Sequence, residues 1–317
     1  MHGISGVFGM EQKLKKIVIA GVGLIGGSFA LAIRSAGIKA ELVGIGRDPA
    51  VMQQALALGI IDRVAVEAED AYGGADLILI AAPVAQTGGI LRQILPFLGR
   101  DTVVTDVGST KADAVAAARQ VLGDRIAQFV PAHPIAGREL NGPSAAISDL
   151  YVGKKLVITA LPENQDASVR LVESLWKMCG AQIHFLSPEV HDAVFASVSH
   201  LPHLLAYALV HEVSQRENAD TLFQYAASGF RDFTRIAGSS PEMWRDIAMA
   251  NRDALLHELD AYIVKIASMR SDLESGDAES LYKTFSAAQY ARQRWVDAIE
   301  AAEKDVCAAV LTKKNIF

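Results

Sequence analysis

From Lys16 to about Ser187 the chain alternates between short apolar runs and longer stretches whose apolar positions recur every three or four residues. The runs are Ile17–Ala20, Glu41–Ile45, Leu77–Ala81, Thr102–Thr105, Gln128–Val130, Lys155–Thr159 and Gln182–Leu186. Several are apolar without alternation, so they predict strands buried on both faces. Helices between them must then supply the cover, which is the pattern of a doubly wound parallel sheet. Asp166–Cys179 reads as one such helix, with Leu171, Leu175 and Met178 on one side. From Pro188 onward the strand pattern stops, and 189–214, 218–230, 240–272 and 277–310 read as helices. Ser240-Pro241 is a helix start, a hydroxyl cap followed by a proline whose missing N–H costs nothing there. Pro202 removes the hydrogen bond to the carbonyl of Val198 and should bend its helix. Gly276-Asp277 should separate the last two helices. The expected organisation is an α/β domain over 1–187 and an all-α domain over 188–317.

The first strand runs into Gly21-Val-Gly23-Leu-Ile-Gly26-Gly27-Ser28. This is G-x-G-x-x-G between a strand and a helix, the context that makes the motif informative. Gly21 permits the tight turn, Gly23 lets backbone approach a pyrophosphate, and Gly26 lets helix and strand pack closely. The helix N-terminus offers free N–H groups to phosphate. The first half is therefore expected to be a Rossmann-type dinucleotide domain. An acidic residue at the end of the second strand would hold a ribose 2′-hydroxyl, but that place is Gly46, followed by Arg47 and Asp48. A guanidinium without a facing carboxylate accepts a 2′-phosphate, so NADP is expected over NAD. The alternative is a solvated Arg47 with Asp48 turned back to the ribose.

Two further loops follow strand ends in this half, Asp106-Val-Gly-Ser109-Thr-Lys111 and His133-Pro134-Ile-Ala-Gly137-Arg138-Glu139. Ligands of open α/β sheets sit beyond the carboxyl ends of strands, so Ser109 and His133 could face one crevice. Pro134 and Gly137 make 133–139 an expected irregular loop, and polar chemistry in such a loop usually serves a ligand. Composition narrows the partner. The 317 residues carry 36 acids against 30 bases, a formal charge of −6, which argues against a nucleic-acid surface. The two cysteines, Cys179 and Cys307, are too few for a disulfide framework and suit a reducing cytoplasm. Neither a leader nor a membrane span is expected, and no H-x-x-x-H with a third ligand suggests a metal. Trp176 and Trp295 read as helix-packing residues.

Taken together, GxGLIGGS at 21–28, DVGSTK at 106–111, HPIAGRE at 133–139, HD at 191–192, SHLPH at 199–203 and GFRDFTRIA at 229–237 resemble the prephenate/arogenate dehydrogenase family of tyrosine biosynthesis. The resemblance is collinear from about Lys16 to about Asn251. It implies a Rossmann domain joined to a helical dimerisation domain, with NAD(P) as cofactor and a likeness of site residues. His133 matches the catalytic histidine that accepts the hydrogen bond of the ring hydroxyl, and Ser109 a serine supporting that hydroxyl and the nicotinamide. Arg235 matches the arginine that holds a substrate carboxylate, and His200 and His203 a histidine pair on the kinked helix. Glu139, Asp192 and Asp232 match polar residues gating or lining the site, and Trp244 an aromatic of the next helix. Cofactor contacts are expected at Gly21, Gly23, Leu24, Ile25, Gly26, Arg47 and Ser109. His191 is read only as a cap or orienting residue for its helix. Arg231 is read as a partner for Asp232 or a second carboxylate contact.

The implied reaction is oxidative decarboxylation of prephenate or arogenate. Rival readings are another Rossmann-plus-helical dehydrogenase of the β-hydroxyacid type, a nucleotide-sensing module without catalysis, and a bifunctional chorismate mutase–dehydrogenase. The first would use a lysine where the kinked helix offers histidines. The second would not explain Ser109, His133 and Arg235 together. The third lacks room before the first strand. The uncharged Gly238-Ser239-Ser240 favours a keto acid, prephenate, over an amino acid. Residues 240–310 are amphipathic and rich in Ala and Leu, so a homodimer is expected. No C-terminal regulatory domain is expected, so any inhibition by tyrosine would be competitive.

Overall fold

The computed structural model describes residues 14–138 and 140–314, with 301–314 as helical backbone alone. Compactness divides the chain into Met1–Leu255 and Leu256–Phe317. The first unit opens with β1 (Lys16–Ala20), α1 (Leu24–Ser35), β2 (Glu41–Ile45), α2 (Pro49–Ala57), β3 (Arg63–Val64), α3 (Ala68–Tyr72), β4 (Leu77–Ile80), α4 (Thr87–Ile94), β5 (Val103–Asp106), α5 (Ala112–Leu122) and β6 (Phe129–Val130). Six strands pair in parallel in the order β3-β2-β1-β4-β5-β6. The order reverses between β1 and β4, and there the glycine turn meets the end of β4.

Side chains alternate across this sheet into two cores. Ile17 and Ile19 of β1 pack with Phe29 and Ile33 of α1 and with Leu175 and Trp176. Val18, Ile78 and Val104 pack with Leu91 of α4 and Val115 of α5. Each fully buried large aliphatic contributes roughly 1.5–3 kcal/mol of transfer free energy, and both faces are filled. This is the expected doubly wound Rossmann sheet.

The strands after β6 do not extend it. β7 (Ala132–Pro134), β8 (Lys155–Ile158) and β9 (Gln182–Phe185) form a second sheet, with β7 antiparallel and β9 parallel to β8. The expectation of one sheet is thus corrected, and that of an irregular loop at its start: His133 and Pro134 lie in β7, with His133 paired with Val157, while residues 135–138 are irregular as expected. A proline is tolerated in β7 because this three-residue strand lies at a sheet edge, where a missing N–H breaks no ladder. α6 (Asp166–Met178) covers the first core, and Trp176 is packed against Phe29 and Tyr151, each at 4.9 Å between ring centroids.

Helices follow: α7 (Pro188–Phe195), α8 (Leu201–Ser214), α9 (Ala219–Gln224), α10 (Ser228–Thr234) and α11 (Pro241–Ala250). Asp48, Ser187 and Ser240 each cap a helix whose first residue is proline, as the Ser240-Pro241 pair predicts. The helices expected over 218–230 and 240–272 are each broken in two, at Tyr225–Ala227 and at Asn251. α7 and α8 are one helix, Pro188–Ser214, joined by a π-turn at Ala196–His200. Its length and composition alone would let it cross a membrane, but its polar residues His191, Asp192 and His200 are buried within the fold, the pattern of a packed helix. The second unit holds most of α12 (Arg252–Ser275) and α13 (Ala278–Lys314), separated at Gly276, whose φ of +70° ends the helix as Gly276-Asp277 predicts. Trp295, expected to pack, is 61% exposed on α13.

Candidate active site

The glycine turn is built as its sequence requires. Gly21 has φ +103°, and a Cβ there would stand 2.6 Å from the Ala81 carbonyl oxygen. A Cβ at Gly26 would lie 2.2 Å from the Gly21 carbonyl oxygen, so only glycine lets α1 pack this close to β1. A Cβ at Gly23 would meet nothing within 4 Å, which leaves room for a ligand against the backbone. Gly23 caps α1 without a side-chain hydrogen bond, and the first turn, with Leu24 and Ile25, carries no acid. These residues fit a pyrophosphate at a helix N-terminus. At the end of β2, a Cβ on Gly46 would come 2.8 Å from Met52 Cε, so no side chain fits there without moving Met52. Asp48 is committed to α2: its Oδ1 accepts from the Ala50 amide at 2.8 Å and the Val51 amide at 3.4 Å. Arg47 is exposed.

The strand ends beyond β1, β4 and β5 lie side by side, Ala20 against Ile80 and Ile80 against Asp106. Asp106 ties this edge to β7. Its Oδ1 accepts from the Ala132 amide at 3.1 Å, and its Oδ2 accepts from the Gly108 amide at 2.9 Å and from the Lys111 ammonium. Lys111 Nζ also donates to the Ala132 carbonyl at 2.8 Å. Lys111 is fully buried, and a buried charge persists only when paired and hydrogen-bonded as here. The pair fixes His133, the next residue of β7.

His133 is 9% exposed. Its Nδ1 lies 2.9 Å from His191 Nε2, and His191 Nδ1 lies 2.8 Å from Asp192 Oδ1. Phe195 packs edge-on against His133 at 5.0 Å. Burial, then the nearby His191 and the Lys111 ammonium, hold the His133 imidazole well below its ordinary 6.5, so it is neutral. Burial also lowers His191, against the opposing pull of Asp192.

Behind this pair stands His200, inward on the π-turn. Asn251 Nδ2 donates to His200 Nδ1 at 3.0 Å and to the Asp192 carbonyl at 2.7 Å, spending both amide hydrogens. Burial brings the His200 pKa down to about 4, against opposing pulls from Asp192 and the Ser109 backbone. One turn on, His203 donates through Nδ1 to the Ser199 carbonyl at 2.9 Å and stacks on Trp244 at 3.5 Å and 18°. Burial lowers its pKa against the opposing Ser199 carbonyl, and the positive charge of Arg235 lowers it further.

His133, His200, His203 and Trp244 are therefore connected, through His191, Asp192 and Asn251, while Ser109 and Arg235 act on the histidines electrostatically. Among the described residues the Ser109 hydroxyl makes no hydrogen bond to His133; the ring's Nδ1 partner is His191. Asp232 is exposed on α10, and Glu139 lies outside the described residues. The sequence reading gave His191 a minor role and passed over Asn251 and the Asp106–Lys111 pair. The HD dipeptide and the two ends of DVGSTK were the available signals, and Asn251 had none. No group of three His, Cys, Asp or Glu among the described residues could hold a metal ion.

Residues 29–185 match the family model for the prephenate dehydrogenase nucleotide-binding domain, and 187–287 that for the prephenate dehydrogenase dimerization domain. The chain is 39% identical over 282 residues to the prephenate dehydrogenase of Bacillus subtilis, spanning 88% of this chain and 76% of that one. It is 34% identical over 280 residues to the cyclohexadienyl dehydrogenase of Zymomonas mobilis, spanning 88% and 95%. The solved prephenate dehydrogenase of A. aeolicus, in complex with hydroxyphenyl propionate and NAD+, superposes with a TM-score of 0.83 at 33% identity, covering 89% of this chain and 98% of that one. The arogenate dehydrogenase of Synechocystis superposes with a TM-score of 0.74 at 26% identity, covering 88% and 99%. With both halves matched in order, the chain belongs to the prephenate dehydrogenase family of NAD(P)-dependent oxidoreductases.

Proposed function

We propose that this chain oxidatively decarboxylates prephenate, and arogenate less well, using His133 as the base on the ring hydroxyl and NADP in preference to NAD. The observation that carries the reading is the buried, neutral His133 imidazole, fixed by Asp106 and Lys111 at the strand edge that bears the glycine turn. A dinucleotide whose pyrophosphate is held at residues 21–26 would supply its nicotinamide as the hydride acceptor. His133 draws the proton of the ring hydroxyl as the carbinol C–H bond gives up its hydride. The electron pair of the C–CO2 bond then enters the ring, CO2 leaves, and the ring becomes aromatic. Base assistance of this kind contributes about 10²–10⁴-fold. Arg235 holds a substrate carboxylate, for which a planar guanidinium is suited, and His203 with Trp244 forms a flat wall beside it.

Support for NADP is the end of β2, where Gly46 offers no carboxylate, Asp48 is spent on capping α2, and Arg47 is exposed. Support for prephenate is the uncharged Gly238-Ser239-Ser240 segment. We also assign the chain a homodimer in the cytoplasm. Ile263, Val264 and Leu273 on α12 and Tyr282, Phe285 and Tyr290 on α13 are exposed, an apolar load that a second copy would cover. Steady-state assays with each substrate and each cofactor test the chemistry. Exclusive use of arogenate, or a strong NAD preference, overturns the corresponding assignment. Sedimentation showing a monomer at micromolar concentration overturns the dimer.

A further inference from the structure

The hydrogen bonds behind His133 have a direction, set by which atoms can donate. Asp192 is the fixed end. Its Oδ1 accepts from the Lys111 amide and its Oδ2 from the Ala112 amide, both at 2.8 Å. Those amides open α5, so the carboxylate caps that helix from a distant element and sits at its positive pole. Burial pushes Asp192 up, but the bonds from His191 and the two amides outweigh it and hold the carboxyl below the usual range. An ionised carboxylate only accepts, so His191 Nδ1 carries the proton of their 2.8 Å contact. A neutral His191 then presents a bare Nε2, which accepts from His133 Nδ1–H at 2.9 Å. The remaining nitrogen of a neutral His133, Nε2, keeps its lone pair.

We propose that His191 and Asp192 are positioning residues that lock His133 in its Nδ1–H tautomer, leaving Nε2 to accept the substrate proton, with the N-terminus of α5 as the fixed end of the chain. The proposal rests on the reading of His133 as the base. Reversing the chain would make His133 Nε2 a donor, unable to accept that proton. In a Ser-His-Asp triad the equivalent tautomer error lowers kcat about 10⁴-fold. The groups facing His133 are Lys111 from the turn before α5, His191 and Phe195 from α7, and His200 from the π-turn. Lys111 is engaged by Asp106 and the Ala132 carbonyl, and burial keeps the imidazoles neutral. The carboxylate reached from His133 Nδ1 through His191 is Asp192, which can stabilise the imidazolium as it forms.

The test has two arms. Imidazole ¹⁵N NMR on the intact wild-type enzyme at neutral pH should find Nδ1 protonated and Nε2 bare on both His133 and His191; an Nε2–H His133 overturns the proposal. The second arm is kinetic, with prephenate and NADP or NAD. In D192A His191 Nδ1–H loses its fixed acceptor and neither tautomer is selected, so kcat should fall about 10²–10⁴-fold with KM changed less than about threefold. H191L should match it, whereas H191Q, whose side-chain oxygen can take the place of Nε2 as acceptor, should recover at least about tenfold over H191L. H133N separates the two readings. If H133N loses kcat while D192A and H191L keep theirs, the relay fails and the base stands; if H133N keeps its kcat, both fail.

Discussion

At the scale of single residues, the proposed chemistry depends on His133 being neutral and held in place. Its burial, with the neighbouring His191 and the Lys111 ammonium, depresses its pKa, so His133 is neutral throughout the neutral range. His133→Asn should lower kcat by about 10²–10⁴-fold while KM moves only a few-fold, because the amide fills the site but is no base. A stopped assay with saturating substrate would show this; an unchanged kcat removes His133 as the base. Arg47 is the second residue whose role is separable. If it binds a 2′-phosphate through charge-assisted hydrogen bonds, Arg47→Ala should raise KM for NADP about 10–100-fold and leave NAD unaffected. Equal effects on both cofactors would mean that Arg47 reads no phosphate. His133 and Arg235 could be named from the sequence because each lies in a collinear motif, and Trp244 because it follows in the next helix. His191 was not, since its role follows from a 2.9 Å contact between residues 58 positions apart, which no local pattern encodes.

Among the elements, the glycine turn and the broken helices set the site. Strand runs and capped helix starts were readable because burial on two faces and the Ser-Pro signature are local properties. The π-turn was half readable. Pro202 announces the lost hydrogen bond at Val198, but only the fold shows that the helix widens over Ala196–His200 and turns His200 inward. β7 was misread because proline and glycine after His133 outweighed a strand that forms only by pairing with distant β8. Gly26→Ala tests the first element. Its Cβ would overlap the Gly21 carbonyl, so stability should fall by roughly 1–3 kcal/mol and the thermal shift on adding NADP should shrink or vanish. Asn251→Ala tests the junction of α11 and α12. It strips donors from His200 and from the Asp192 carbonyl, both buried, and should cost about 1–3 kcal/mol in urea unfolding. A loss under a few tenths would show that water replaces the amide.

For the molecule as a whole, the site's neutral imidazoles make stability depend on acid. His133, His191 and His200 are all depressed by burial below 6.5. The unfolded chain protonates near 6.5 and the folded chain does so only at lower pH, so unfolding takes up protons below 6.5. Their cost to the fold is therefore absent above that pH and grows as pH falls toward each folded pKa. For His200, displaced to about 4, the loss amounts to roughly 3 kcal/mol once pH reaches that value. Asp192 runs the other way: its carboxyl is held low, so its contribution persists above the ordinary carboxylate range and is lost only in stronger acid. Urea unfolding followed from pH 7.5 to 4.5 should thus show stability declining through the histidine window before the carboxylates titrate. His200→Asn, which cannot charge, should be less stable than wild type at pH 7.5 and should decline less steeply below 6.5. Parallel curves for the two proteins would mean that His200 is not neutral in the fold, and the hydrogen bond from Asn251 would then have to be redrawn with the imidazole as donor.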